Sequence, residues 1–229
     1  MSRMARLVLP EVVHHVVAKG VAGCKIFAND EEKRIYLARF AEIAEKRKVL
    51  VHGYCLMDNH VHFILTPTTE TGLAKLFQCT HTWWAMRFNR LHKREGDLFQ
   101  SRYFSSPMGE SHRWAALRYV ELNPKRAGIV ERPEDFEFSS APAHCSGIQN
   151  TTIWLKAMAS RRQFLPEEWR AFLRDNCEEL DEDLRRALKG NRPVGDEKWI
   201  ALLEKEAGRP LAWRPTGRPK KSVTAAATQ

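Results

Sequence analysis

Two histidines separated by one residue, His60 and His62, lie in an apolar stretch of the chain. Successive side chains of a strand point to opposite faces, so both imidazoles project from one face and Val61 and Phe63 from the other. Two imidazoles a few ångströms apart on a rigid strand supply half of a metal site, because neutral imidazole nitrogen is a common metal ligand. The pair on its own is also compatible with a purely structural role in the strand.

A second segment carries a tyrosine and an amide at helical spacing. Tyr119 and Asn123 are four residues apart, which places them on one face of a predicted helix. Taken alone, a helical tyrosine is commonly a core residue. An asparagine before Pro124 commonly marks a helix end, because the residue before proline avoids the α region. Together with the two histidines, the pattern predicts a divalent metal held next to a nucleophilic phenol.

Periodicity and capping predict the elements that position these groups. Runs of β-branched and apolar residues predict strands, and a helix-period apolar face after an N-cap at Asn29 or Asp30 predicts the first helix. In chain order, the predicted elements are a strand over 12–17, a helix from 30 into the basic run 46–48, strands over 49–57 and 60–66 joined by a tight hairpin at 58–59, a helix starting at 71–72, a strand over 98–105 and a helix over 113–123.

The order strand, helix, strand, strand, helix, strand predicts an α+β, ferredoxin-like split-βαβ fold. The sheet of such a fold is antiparallel, and both helices cover one of its faces. The other face is left for a ligand or for a further helix, such as the one that carries Tyr119. His60 and His62 are then expected on a central strand, the most rigid position available to a site.

Composition limits the class of protein. The chain has 229 residues, 43% of them hydrophobic, which suffices for one ordinary domain and a smaller appendage. A change of character after Ser140 predicts a catalytic domain over 1–140, a helical C-terminal extension over 141–208 and a basic, disordered tail over 209–229. Five cysteines without a Cys-x-x-Cys pair argue against a disulfide framework and a zinc ribbon. The chain shows neither a signal peptide nor an apolar run of about 18 residues, so we expect a cytoplasmic, nucleoid-associated protein.

The charge balance predicts a polyanionic partner. Net charge is +9 and the pI is near 9.5, which favours nucleic acid first and an acidic membrane second. Cations alternate with aromatic residues over 83–90 and 99–104, as binding of single-stranded nucleic acid requires. The alternative is that most of these aromatics belong to the core, which we expect for Trp83, Phe88 and Phe99. The tripeptide at 217–219 resembles the core of an AT-hook, which inserts arginine into a narrow minor groove; a merely solubilising basic tail is the alternative. The predicted DNA contacts are Arg87, Arg90, Arg102, Arg218 and Lys220.

Three motifs carry a family resemblance: Met57-Asp58-Asn59-His60-Val61-His62-Phe63, the run 99–103, and the block from Tyr119 to Val130. They resemble the REP-associated tyrosine transposases, a bacterial branch of the single-tyrosine His-hydrophobe-His transposases of the insertion-sequence type. The likeness covers roughly residues 6–140. It implies a ferredoxin-like domain in which His60, His62 and Asn123 bind Mg²⁺ or Mn²⁺ and Tyr119 attacks single-stranded DNA.

The function expected from the resemblance is cleavage and rejoining of DNA with hairpins or palindromic repeats, through a 5′-phosphotyrosine intermediate. The protein would act as a monomer or a homodimer. Two alternatives remain open at this stage. One is a nucleic-acid-binding protein of the same fold that does not cleave, and the other is a metal-dependent hydrolase that uses His60 and His62 without covalent chemistry. Trapping a covalent DNA adduct would distinguish the tyrosine transposase from both of these alternatives.

Overall fold

The computed structural model describes residues 6–150, 152–158, 163–175 and 178–212, and within these ranges it contains four strands and eight α-helices. The strands are β1 (His14–Lys19), β2 (Val49–Met57), β3 (His60–Pro67) and β4 (Phe104–Pro107). The helices are α1 (Asp30–Lys46), α2 (Gly72–Leu91), α3 (Glu110–Glu121), α4 (Asn123–Arg126), α5 (Ala141–Ser146), α6 (Pro166–Arg174), α7 (Glu178–Gly190) and α8 (Glu197–Ala207).

The strands form one antiparallel sheet in the order β2-β3-β1-β4, which confirms the predicted split-βαβ arrangement. Strand β3 is central, between β2 and β1. Residues directly opposite each other on paired strands point to the same face. Because Val17 pairs with His62 and Lys19 pairs with His60, these side chains of β1 share a face with the two histidines.

Helices α1 and α2 cover the face of the sheet opposite the histidines. Phe63 of β3 stacks on Phe40 of α1 with ring centroids 3.9 Å apart, and Phe77 of α2 meets both rings edge-on. Asn29, one of the two caps predicted from the sequence, caps α1 by accepting a hydrogen bond from the Glu32 amide. The alternation of β3 therefore sends its apolar side chains into this core and its histidines away from it.

Helix α3 covers the histidine-bearing face, and the C-terminal helices pack beside it. The carboxylate of Glu121, at the end of α3, is fully buried and accepts hydrogen bonds from Ser140 Oγ, His144 Nδ1 and Trp169 Nε1. These bonds tie α3 to α5 and α6. The segment 191–194 lies along β4, where the Ser105 amide donates to Asn191 Oδ1 and the Val194 amide donates to the Pro107 carbonyl. The predicted helical character of the extension is confirmed; the boundaries at 140 and 208 stay a prediction.

Close packing of α3 on the sheet depends on Gly53 of β2. A Cβ atom at this position would lie 2.2 Å from Leu117 Cδ1 and 2.9 Å from Ser140 Oγ. We expect Gly53→Ala to lower the free energy of unfolding by about 1–3 kcal/mol, because the methyl group must displace a buried side chain. Urea titration measures the loss. In a Leu117→Ala background the same substitution should cost much less, and an equal cost in both backgrounds would contradict this packing.

Three predicted elements differ from the structure. The fourth strand is Phe104–Pro107 and not 98–105. Strand β1 is followed by a 3₁₀ turn at Val21–Gly23, so it cannot pair with the residues before Phe104 beyond an isolated bridge between Gly20 and Phe99. The first strand runs two residues later than predicted. The helix expected over 113–123 starts earlier and ends at Glu121, and Pro124 lies in the first turn of α4, where a missing amide proton is tolerated. Within the described ranges, no helix has the length and apolar character that spanning a bilayer requires.

Candidate active site

His60 and His62 lie side by side on the face of β3 that α3 covers. Their ring centroids are 4.9 Å apart. His62 is buried, whereas His60 is partly open to solvent at the start of the strand. The alternation of the strand thus places both imidazoles on one face, as the sequence predicts. They lie at the start of β3, next to the β2–β3 hairpin.

Tyr119 is the tyrosine that meets these histidines. Its ring centroid lies 5.9 Å from that of His62, in an edge-to-face arrangement. The other three tyrosines of the chain all lie within the described residues and are buried elsewhere. Tyr103, the rival for a nucleophilic role, packs on Phe77 of α2 beneath the guanidinium of Arg6, on the opposite side of the sheet.

A third histidine, His15 of β1, completes the cluster and was missed by sequence reasoning. Its Nε2 lies 2.9 Å from Nδ1 of His62, the two rings stack at 5.2 Å, and its centroid is 5.8 Å from that of Tyr119. All of its side chain is buried. Strand alternation alone puts His15 on the same face as Val17 and Lys19. Only the register between β1 and β3 shows that this face is the one that carries His62.

The hydrogen bonds of His60 fix its proton. Its Nδ1 lies 2.6 Å from Oδ1 of Asn59, while the amide nitrogen of Asn59 donates to the Gly23 carbonyl. An amide oxygen only accepts, so the neutral imidazole of His60 carries its proton on Nδ1. The lone pair of Nε2 is therefore free for a ligand.

The 2.9 Å hydrogen bond between His62 Nδ1 and His15 Nε2 contains one proton, which belongs to one ring or the other. If His62 Nδ1 carries the proton and donates it to His15 Nε2, then Nε2 of His62 keeps a lone pair. If His15 Nε2 donates instead, Nε2 of His62 is protonated and cannot bind a metal. The first arrangement puts the His15 proton on Nδ1, a buried atom without a hydrogen-bond partner among the described residues.

The three imidazoles are neutral at neutral pH. Burial lowers the pKa of His15 to about 3, and burial with the charge of Lys19 lowers the pKa of His60 to about 4. Burial first, then the neighbouring His15, His60 and Lys19, holds the pKa of His62 well below its ordinary value. A depressed histidine pKa means that the ring stays unprotonated as the pH falls through its usual range. Each of the three rings consequently keeps one unprotonated nitrogen at physiological pH.

Asn123 lies one turn beyond Tyr119 and bonds back onto the helix. Its Nδ2 donates to the carbonyls of Tyr119 and Val120 at 2.8 and 3.2 Å. Both bonds use the nitrogen, so Oδ1 has no hydrogen-bond partner among the described residues. Two imidazole nitrogens and one amide oxygen suit a divalent cation of the Mn²⁺ or Mg²⁺ type. In the part of the chain that the structure describes, no three His, Cys, Asp or Glu side chains converge on one metal position.

The structure does not bring the predicted DNA-binding arginines to Tyr119. Arg87 and Arg90 lie on α2 and Arg102 lies in the loop before β4, whereas α2 covers the sheet face opposite Tyr119. Arg218 and Lys220 lie outside the described residues.

Two other arginines, which the sequence did not single out, lie against the tyrosine. The guanidinium carbons of Arg126 and Arg185 are 4.9 and 5.6 Å from the Tyr119 ring centroid. Arg126 is the last residue of α4, the helix that follows α3 in the chain. Arg185 comes from α7, and no sequence pattern reveals that α7 docks at this place.

Known proteins resemble both the sequence and the fold. Residues 11–123 match the family described as IS200-like transposase, which is 113 of the 229 residues of the chain. Among solved structures, one described as a REP-associated tyrosine transposase bound to a REP hairpin matches with a TM-score of 0.51. That match covers 72% of this chain and 99% of the other, at 13% sequence identity, and it shows a shared fold. No curated protein sequence matches the chain.

Proposed function

We propose that this protein is a transposase that recognises a hairpin in single-stranded DNA and cleaves and rejoins the strand through Tyr119. The observation that carries the proposal is the placement of the phenol beside His62 and His15 on one sheet face, in a domain that matches the IS200-like family. The structural neighbour is described as bound to a REP hairpin, which supports a hairpin as the partner.

In the proposed reaction the Tyr119 oxygen attacks the scissile phosphorus. A bond forms between that oxygen and phosphorus, the bond from phosphorus to the upstream 3′ oxygen breaks, and the products are a 5′-phosphotyrosine and a free 3′-hydroxyl. The phenol proton passes to water, and water returns a proton to the leaving oxygen. The phosphodiester bond energy is retained in the covalent link, so a second strand's 3′-hydroxyl can reverse the step without a nucleotide cofactor.

His60 Nε2, His62 Nε2 and Asn123 Oδ1 are the atoms that would hold a divalent metal in this reaction. A phenol has a pKa of about 10 and is a poor nucleophile at neutral pH. A metal ion bound here supplies Lewis-acid polarisation of the phosphate. Imidazole ligands suit Mn²⁺ better than Mg²⁺, so Mn²⁺ is expected to support the reaction at least as well.

His15 has a positioning role in this scheme. By accepting the Nδ1 proton of His62, it leaves Nε2 of His62 unprotonated. Residues that hold the distal nitrogen of a metal-binding histidine commonly change metal affinity by about 10–100-fold when they are replaced.

We therefore expect His15→Leu, which offers no acceptor, to weaken Mn²⁺ binding about 10–100-fold. His15→Gln keeps an acceptor oxygen and should retain affinity to within a few-fold. Isothermal titration of DNA-free protein with Mn²⁺ measures both constants, and thermal melting of each variant controls for folding. Equal affinity of the two variants would show that His15 does not hold the His62 proton.

Incubation with a labelled DNA hairpin flanked by single strands, in the presence of Mn²⁺, tests the proposed function. Denaturing electrophoresis should show a labelled band that migrates with the protein. A non-cleaving binder would leave the DNA intact, and a metal-dependent hydrolase would cut it without any protein-linked band. Either result would overturn the proposal.

A further inference from the structure

The C-terminal extension places a cation at Tyr119. Helix α7 packs against α3, β4 and β1, on the same face of the sheet as the histidines. From this helix the guanidinium of Arg185 reaches to 5.6 Å from the Tyr119 ring centroid. A residue far away in sequence is thus brought beside the proposed nucleophile.

An ion-pair network holds α7 in this position. The buried carboxylate of Asp181, one turn before Arg185, pairs with Arg126 and lies 3.8 Å from the fully buried Arg118 of α3. Arg126 also donates to the carbonyl of Tyr119 at 3.2 Å. Arg118 and Arg126 are therefore engaged in holding α7 on α3.

Arg185 is not engaged in this way. Its side chain is exposed, and it forms no hydrogen bond or ion pair with the described residues beyond its contact with the Tyr119 ring. The adjacent Arg186 differs, because its guanidinium pairs with Asp183 at 3.4 Å. A guanidinium group that has no ion-pair partner among the described residues and lies next to a phenol is suited to bidentate binding of phosphate oxygens.

We infer that Arg185 binds the non-bridging oxygens of the phosphate that Tyr119 attacks, so that the C-terminal extension is part of the reaction site. This inference rests on the proposed function. As the Tyr119 oxygen bonds to phosphorus, negative charge grows on the non-bridging oxygens, and a guanidinium fixed beside them stabilises that charge. His15 and His62 contact Tyr119 from the sheet, and Arg185 approaches it from α7.

Single-turnover adduct formation on a hairpin substrate at saturating concentration tests this role. Arg185→Ala should form the covalent adduct about 100-fold more slowly than wild type, the cost typical of one lost transition-state donor. The dissociation constant for the hairpin should change by only a few-fold. Arg186→Ala removes the same charge from the neighbouring position and should react at the wild-type rate. Because Arg185 is exposed, both variants should melt at the wild-type temperature.

Chemical rescue separates direct contact with the phosphate from a structural effect. Guanidinium ion at a concentration that leaves the fold intact should restore the rate of Arg185→Ala several-fold, and it should not accelerate wild type. A wild-type rate for Arg185→Ala at saturating DNA, or a slow rate that guanidinium does not raise, would overturn the inference and leave Tyr119 as the nucleophile. Absence of any adduct in wild type would overturn the proposed function itself and this inference with it.

Discussion

Tyr119→Phe is expected to abolish the covalent DNA adduct while leaving the fold and hairpin binding in place. The substitution removes one oxygen and keeps the ring that packs against His15 and His62. The Tyr119 hydroxyl makes no hydrogen bond with the described residues, so its loss should change stability by less than about 1 kcal/mol. The rate of cleavage should fall by a factor on the order of 10³ or more, because the nucleophile itself is gone.

Tyr103→Phe is the matched control for this variant. It removes the same atom from a tyrosine on the opposite side of the sheet, whose ring also lies against an arginine, Arg6. The control should form the adduct at the wild-type rate, as measured by denaturing electrophoresis of the labelled hairpin. A Tyr119→Phe protein that still forms adduct, or a Tyr103→Phe protein that does not, would reverse the assignment.

His62→Ala is expected to eliminate metal-dependent cleavage and to leave hairpin affinity largely intact. His62 is the buried member of the histidine pair and the one in contact with both His15 and Tyr119. Affinity for DNA comes mainly from phosphate contacts by basic residues, which this substitution does not touch. Titration with Mn²⁺ should show at least a tenfold weaker binding constant, and a gel-shift assay should show a nearly unchanged hairpin affinity.

His14→Ala controls for the loss of a buried strand histidine. His14 is also fully buried in β1, but its ring bonds to the Val12 carbonyl and the Leu9 amide on the other face of the strand. This variant should be less stable than wild type and still bind Mn²⁺ normally. Normal metal-dependent cleavage by His62→Ala would show that the ligand assignment is wrong.

Much of the fold could be predicted from the sequence because its signals are local. The alternation around His60 and His62 predicted β3, and the candidate caps at 29–30 predicted the start of α1. The spacing of Tyr119 and Asn123 placed them one turn apart, although Asn123 begins α4 and does not belong to α3. The class of fold followed from the order of these elements, and it is confirmed by the sheet topology.

The remaining part of the site depends on tertiary contacts that leave no local pattern. His15 joins the cluster because of the β1–β3 register, which aligns Val17 with His62. Arg185 reaches Tyr119 because Asp181 pairs with Arg126, and that docking of α7 has no periodic signature. The fourth strand was misplaced for a related reason, since its partner β1 ends at Lys19 and Phe99 forms only an isolated bridge with the next residue, Gly20.

Peptide mapping of the trapped adduct tests the central assignment most directly. Wild-type protein is incubated with the hairpin and Mn²⁺, the denatured adduct is digested with a protease and a nuclease, and the modified peptide is sequenced by mass spectrometry. We predict a single nucleotide-bearing residue, Tyr119. Attachment at Tyr103, or cleavage of the hairpin without any nucleotide-bearing peptide, would contradict the assignment.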